Sequence, residues 1–476
     1  MLSISERSFN KYKSSNKAFP IFLKMNGDEL TPIAIYYRLK GKCKFLLESI
    51  YSENEIGRYS FIGAEPYMTI KSYGENIVLS SDKKRREVKG KFLEHVQQYL
   101  TIDYDSAGLD VPFTGGAIGY VGYDIVRQYE RLPFTKDDDL EVPEAYLMFY
   151  KSFICYDHFK HELYIVYNVM TDDYKDYSDV LNEINTLKNL IMSNVETHEL
   201  QQVQSHKELE SNVTKEEFCS LVDKAKEYIK AGDIFQVVLS QRLQFKNLSQ
   251  PFDIYRRLRT KNPSPYLFYI DFNDMQVAGS SPESLVTVSG RKVTTNPIAG
   301  TRVRGKSMEE DLKLKEELLC DEKERAEHVM LVDLGRNDIG KVSKFGTVNV
   351  DRFMEVDFYS HVMHIVSKVS GELKEGIGYL DALKACSPVG TVSGAPKIRA
   401  MEIIDELEES KRGIYAGAIG YFSFSGNMDT CIGIRTILFK KNYAYVQAGA
   451  GIVYDSIPEN EYMETLNKAM AMREVI

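Results

Sequence analysis

Arg291-Lys-Val-Thr-Thr-Asn-Pro297-Ile-Ala-Gly300-Thr-Arg-Val-Arg-Gly305-Lys306-Ser307 admits two readings, and the fold class turns on the choice. Gly300 to Ser307 matches GxxxxGK[ST], the phosphate-cradling loop of P-loop NTPases. Val329-Met-Leu-Val-Asp333 imitates their second motif, an apolar run ending in Asp. A phosphate loop, however, follows a buried parallel strand, which is a near-continuous apolar run. Here the preceding residues are polar and basic, and Pro297 removes a ladder donor. The run before Asp333 continues out of Asp321-Glu-Lys-Glu-Arg-Ala-Glu-His328, which is helical in propensity. Arg302 and Arg304 stand where further glycines belong. A P-loop NTPase is therefore a distant alternative, testable by nucleotide-dependent stabilisation. The segment reads better as a small-residue turn between two acidic motifs, Ser281-Pro-Glu283 and Asp321 to Asp338, a place for a metal and a small anionic substrate.

Without the parallel βαβ reading, strands and helices do not alternate strictly along the chain. The expected fold class is α+β: large, mainly antiparallel sheets packed face to face, with flanking helices. Lys71-Ser-Tyr-Gly and Leu163-Tyr-Ile-Val-Tyr167 read as strands. Phe218 to Lys230 reads as an amphipathic helix, and Asp233 to Arg242 as a buried strand. Gly116-Ala-Ile-Gly-Tyr120 recurs as Gly417-Ala-Ile-Gly-Tyr421. Gly and Ala permit close backbone approach, so the repeat fits a tightly packed strand pair. The polar stretch from 196 to 215 is the best boundary, which divides the chain into regions 1–212 and 213–476.

The chain has 476 residues, enough for two to three domains or one large intergrown one. A formal net charge of -9 argues against a nucleic-acid surface. Six cysteines carry no CxxC and no metal spacing, the pattern of reduced thiols in a cytoplasmic protein. The start of the chain shows no signal-peptide core, and no apolar run is long enough to span a membrane.

Several side chains could carry chemistry. Glu324 and Glu327 lie i, i+3 on one predicted helix. Ser456-Ile-Pro-Glu459 reads as a capping box opening a second helix, on which Glu461, Glu464 and Lys468 share a face. Carboxylates from two helices suit Mg²⁺, although an acidic helix face is also an ordinary solvated surface. His364, among apolar neighbours, is either a satisfied core histidine or a proton carrier. Arg435, in the apolar run Cys431-Ile-Gly-Ile-Arg435, needs a partner, and a ligand carboxylate is one candidate. Gly449-Ala-Gly451 would expose backbone N–H groups to an anion.

These segments resemble the chorismate-utilising enzymes, most closely the anthranilate synthase component I branch. The resemblance rests on Asp233 to Arg242, Pro297-Ile-Ala-Gly-Thr301, and Asp321 to Asp338 ending Leu-Gly-Arg-Asn-Asp. It continues through Gly390-Thr-Val-Ser-Gly-Ala-Pro-Lys397, Gly426-Asn-Met-Asp-Thr-Cys431 and Gln447-Ala-Gly-Ala-Gly-Ile452, with Phe113 to Tyr120 as an N-terminal match. It implies an Mg²⁺-dependent lyase: ammonia adds to C2 of chorismate, the C4 hydroxyl leaves, and pyruvate is eliminated to give anthranilate. By resemblance, Glu327 and Glu464 are the metal ligands. Glu283 is the general acid and His364 the base, with Gln236 and Thr301 beside them as catalytic positions. Thr391, Tyr415, Arg435, Gly449, Gly451 and Lys468 bind substrate.

Water-using relatives carry Lys where Gln236 stands, and the folate-branch enzyme often has Lys at the position of Ala299. Both positions point to the anthranilate branch, with aminodeoxychorismate synthase component I as the alternative. No Gly-x-Cys-x-Gly elbow occurs, so the resemblance implies a separate glutamine amidotransferase subunit (component II) as the ammonia source. It also implies feedback inhibition by tryptophan. Leu46-Leu-Glu48-Ser49 and Asn262-Pro263-Ser264-Pro265-Tyr266-Leu267-Phe268 match the regulatory motifs, and Cys431 lies near them.

Overall fold

The computed structural model describes residues 2–49, 57–81, 84–133, 136–173, 175–193, 198–200, 209–246, 249–359 and 362–476. Half of the stretch read as a boundary, residues 196–197 and 201–208, lies outside the described residues.

The strands form two twelve-stranded sheets. Every strand pair within them is antiparallel. In the first sheet the path runs from Phe19–Asn26 through Phe45–Glu48, Tyr266–Asp271 and Thr436–Lys440 to Tyr443–Ile452 and Gln236–Lys246. In the second it runs from Ile298–Val303 through Val362–Glu372, Ser284–Ser289 and Ala418–Ser423 to Gly116–Val121 and Met68–Tyr73. The chain on either side of residue 212 contributes strands to both sheets.

The two sheets pack face to face over an aromatic layer. Phe45, Phe61, Phe153 and Phe268 come from the first sheet, and Ile118, Met148, Ile419 and Tyr421 from the second. Helices cover the outer faces. Ile35, Ile184, Leu258 and Met472 pack on the first sheet. Leu93, Val96 and Leu383 pack on the second. This is the α+β sandwich that the non-alternating pattern predicts. Aromatic rings fill the space between the layers because they bury the most apolar surface per residue.

The repeated Gly-Ala-Ile-Gly-Tyr segments are side by side in the second sheet, with Gly119 opposite Gly420. A Cβ at Gly119 would lie 2.0 Å from the Tyr146 carbonyl oxygen, and one at Gly420 2.0 Å from that of Asp429. Only glycine allows this approach. The P-loop reading fails on topology. Ile298–Val303 is an edge strand antiparallel to Val362–Glu372, and Ser307 is merely the N-cap of the helix Met308–Cys320. Among the described residues, no helix is long and apolar enough to cross a membrane.

Candidate active site

A cavity of about 590 Å³ opens where strands from both sheets meet two helices. The helix Glu322–Val342 starts because Asp321 caps it, accepting the N–H groups of Lys323 and Glu324. Its i, i+3 spacing then turns Glu324 and Glu327 to one side, where both line the cavity. The helix Pro458–Arg473 presents Glu461, Glu464 and Lys468 to the same space. The capping box expected at its start does not form. Ser456 Oγ instead accepts the Val453 N–H at 3.0 Å, and Ile457 is the N-cap with Pro458 at the first helical position.

These carboxylates are under like-charge stress. Burial holds the Glu324 carboxyl above its ordinary range, and the Glu327 charge adds to the effect against Arg302. Burial likewise raises Glu461, with Glu464 adding to it. Glu327 Oε1 accepts the Gln236 amide at 2.9 Å, and Glu464 pairs with Lys468 at 2.6 Å. Lys468 also donates to the Gly449 carbonyl at 3.0 Å. A divalent cation with oxygen preference would relieve this repulsion. Among the described residues no cluster of three or more His, Cys, Asp or Glu converges on one point. Glu327 and Glu464 could hold a divalent cation only as a site of one or two carboxylates, its shell completed by substrate and water.

On the opposite wall, Glu283 is buried between the strands Met275–Ser281 and Ser284–Ser289. Thr391 Oγ1 donates to it at 3.0 Å. Burial pushes its carboxyl up to about 8, against the hydrogen bonds from Thr391 and the Ile298 N–H. It is a neutral acid at neutral pH. His364 is the reverse case: burial pushes it below its ordinary value, so the imidazole is neutral. Its Nδ1 lies 3.1 Å from the Gly300 carbonyl and 3.0 Å from Thr301 Oγ1. A carbonyl only accepts, so Nδ1 carries the proton and Nε2 keeps a free lone pair.

Arg435 also faces the cavity. It has a left-handed backbone, φ 50°, an uncommon conformation for a residue with a side chain. Its one side-chain hydrogen bond among the described residues is a long 3.4 Å contact with the Lys468 carbonyl. Tyr415, Gly449, Gly451 and the methyl of Ala299 complete the wall. A Cβ at Gly451 would sit 2.5 Å from Gln236 Nε2, and one at Gly449 2.5 Å from Tyr415 Oη. Gln236 Oε1 is buried and without a partner among the described residues. Every residue named for catalysis, substrate and metal lines this one cavity. The resemblance gives no role to Glu324 and Glu461, but their i, i+3 spacing from Glu327 and Glu464 already sets them on the same faces, and both line the cavity.

A second cavity of about 390 Å³ lies between the sheets. Glu48, Ser49, Pro265, Tyr266, Leu267, Phe268 and Cys431 line it. Asn262, Pro263 and Ser264 do not. Asn262 ends the helix Pro251–Lys261, and its amide turns away to the Ala471 carbonyl. Glu48 is not a free carboxylate. Its Oε2 accepts from Tyr255 at 2.5 Å and pairs with Arg259 at 2.9 Å, while burial raises it above the usual range. Pro282 and Ile298 line both cavities.

The sequence profile of the chorismate binding enzymes matches residues 42–474. Anthranilate synthase component 1 of Acetivibrio thermocellus is 49% identical over 469 residues, which cover 96% of this chain and 95% of that protein. The chain belongs to the anthranilate synthase component 1 family. The crystal structure of a family member, anthranilate synthase component I from Streptococcus pneumoniae TIGR4, superposes with a TM-score of 0.81 at 41% identity, over 94% of this chain and 98% of that one. The menaquinone-specific isochorismate synthase from Escherichia coli, at 18% identity and a TM-score of 0.73, covers 99% of this chain and 98% of its own and shares the family's fold.

Proposed function

We propose that the chain is the large subunit of a two-component anthranilate synthase, converting chorismate and ammonia to anthranilate, pyruvate and water. One observation carries the reading. A single cavity brings a neutral buried acid, Glu283, and a neutral imidazole with a free Nε2, His364, together with the guanidinium of Arg435 across from paired carboxylates. A dianionic substrate that undergoes two eliminations needs two proton carriers and two anion anchors.

In this reading Arg435 grips one substrate carboxylate, helped by Tyr415 and the backbone at Gly449 and Gly451. Glu327 and Glu464 would hold Mg²⁺, which supplies charge neutralisation for the other carboxylate when bound. Ammonia forms its bond to C2 while the C4–O bond breaks, and Glu283 gives its proton to the departing hydroxyl, which leaves as water. His364 Nε2 then removes the C2 proton as the enolpyruvyl C–O bond breaks. Gln236, its amide fixed by Glu327, leaves its oxygen free to accept from an incoming N–H donor. It has no basic nitrogen, as suits ammonia, which needs no deprotonation. Ala299 lines the cavity with a methyl group, so no side-chain amine is available there to join the substrate.

Ammonia would come from a separate glutamine amidotransferase, component II, and ammonium salts would replace it in the isolated chain. The second cavity would take tryptophan as a feedback inhibitor, with Pro265, Tyr266, Leu267 and Phe268 against the indole and the Glu48 region near its ammonium. The shared walls at Pro282 and Ile298 support a link between the two sites.

The test is direct. Chorismate, Mg²⁺ and ammonium are mixed with the purified chain and anthranilate fluorescence is followed, on a low background because the chain has no tryptophan. Fluorescent product with equimolar pyruvate supports the reading. A product that keeps its enolpyruvyl group moves the chain to the aminodeoxychorismate branch, and an inert chain refutes both.

A further inference from the structure

Behind the cavity wall that carries Glu283 lies a much smaller space. It measures about 20 Å³, room for one water molecule, which also needs two to four polar partners. Its lining includes Glu283 and Thr391, which are hydrogen-bonded to each other. It also includes Asp338 and Cys386, which meet at the Lys397 ammonium: Lys397 donates to the Asp338 carboxylate and to the Cys386 carbonyl. Asp338 is buried. It also accepts from Lys341 at 3.1 Å, and the Lys341 side chain is 58% exposed. The small space thus lies between the buried Glu283–Thr391 pair and the Asp338 group, whose Lys341 reaches solvent.

Two glycines keep the space open. Gly335 lies well inside the helix Glu322–Val342, where glycine is among the least favourable residues. A Cβ there would come within 3.2 Å of Thr295 Cγ2 and 3.4 Å of Pro297 Cγ, both on the lining. A Cβ at Gly390 would meet Leu334 Cδ1 at 2.6 Å. Gly335 belongs to Leu334-Gly-Arg-Asn-Asp338, a motif to which neither the substrate nor the metal assignment gives a task.

We propose that this space holds one water that returns a proton from the Asp338 side to Glu283 between turnovers. The proposal rests on Glu283 being the acid of the proposed function. After the C4–O bond breaks, Glu283 is a carboxylate and product occupies the catalytic cavity. The water gives one O–H proton to Glu283 and takes one from the Asp338–Lys341 pair, which solvent resupplies. Only O–H and N–H bonds change, and no further reactant is needed. Asp338 is a positioning residue, acting through the water and Glu283. Burial pushes Glu283 up to about 8, so each cycle must begin with the proton back in place.

The relay is needed only for the second and later turnovers, which gives a test that a packing defect cannot imitate. Gly335→Ala fills the space without altering a charge, and Asp338→Asn interrupts the relay. Each would be followed by stopped-flow anthranilate fluorescence with chorismate, Mg²⁺ and ammonium, from the first turnover into steady state. The expected result is a first turnover at the wild-type rate, a burst equal to the enzyme concentration, and a steady-state rate reduced about five- to tenfold, with KM for chorismate within about twofold. A Gly335→Ala enzyme with wild-type steady-state turnover overturns the proposal, as does one whose first turnover slows equally. If Asp338→Asn does not fold, Gly335→Ala decides alone. Failure of the underlying function reads differently, because wild type itself would then make no anthranilate.

Discussion

The two cavities share a wall and differ in how their charges are settled. In the second cavity each named ion is already paired: Glu48 with Arg259 and Tyr255, and Arg352 with Asp357 at 2.8 Å. In the catalytic cavity Glu324 and Glu327 repel each other, Glu461 and Glu464 do the same, and Arg435 has a single, long side-chain hydrogen bond among the described residues. Carboxylates held side by side and a guanidinium with one weak contact are unfavourable on their own, so this cavity suits a ligand that brings compensating charges. The paired cavity asks for no charge. It offers aromatic and apolar surface with compensated polar groups, which suits a neutral or zwitterionic ligand.

That contrast breaks most sharply at Glu283. Glu283→Gln removes the proton and should lower kcat about 100- to 10,000-fold, measured by anthranilate fluorescence. In wild type, kcat/KM should fall as pH rises through about 8, because the acid form is lost, and this limb should vanish from the residual activity of the variant. The depressed His364 places the acid limb below an ordinary histidine's range. Stability follows the same sign. The folded Glu283 value lies above the ordinary 4.5, so its stabilising neutral form is fully present below that pH and lost as pH rises through about 8. The Tm of wild type should therefore drop relative to Glu283→Gln between pH 5 and 9; equal slopes would show that Glu283 is not buried neutral.

Arg435→Ala tests whether this guanidinium waits for the substrate. The expected loss is about 100- to 1000-fold in kcat/KM, with binding of tryptophan to the second cavity, read by thermal shift, left unchanged. A loss in both would mean the two cavities are not electrostatically separate. Gly451→Ala sharpens the picture at smaller scale. Its Cβ would press on Gln236 Nε2 and spoil the 2.9 Å bond to Glu327. About tenfold lower kcat/KM for ammonium, with the fold intact by circular dichroism, is expected.

Much of this was legible in the sequence where the signal is local. The i, i+3 carboxylates of one helix fall on one side whatever the rest of the chain does. The twin Gly-Ala-Ile-Gly-Tyr segments announce close strand approach, and the structure pairs them with each other. Pro297 ahead of Gly300 counts against a phosphate loop because a missing N–H is a local fact. What the sequence hid depends on distant partners. Thr391 and Glu283 are 108 residues apart, and Tyr255 and Glu48 are 207 apart. No periodicity connects them. The Ser456 cap failed for a local reason instead: a backbone N–H just upstream, at Val453, took the hydroxyl that the pattern assigned to the helix.

Glu48 is where the paired cavity can be broken with the least harm to catalysis. If tryptophan were held only by its ring, Glu48→Ala would leave inhibition unchanged. If the carboxylate matters, either by meeting the ligand ammonium or by holding Arg259 and Tyr255 in place, inhibition weakens while kcat stays within about twofold of wild type. The two roles separate on stability. Glu48 is 6% exposed and Tyr255 is fully buried, so truncation leaves a buried hydroxyl and a guanidinium short of a partner. That should cost about 1–2 kcal/mol, discounted because the Arg259 side chain is one-third exposed. Glu48→Gln keeps an acceptor for Tyr255 and removes only the charge. Inhibition lost in both variants assigns the ammonium to Glu48, whereas inhibition kept in Glu48→Gln and lost in Glu48→Ala assigns it a purely structural part in shaping the cavity.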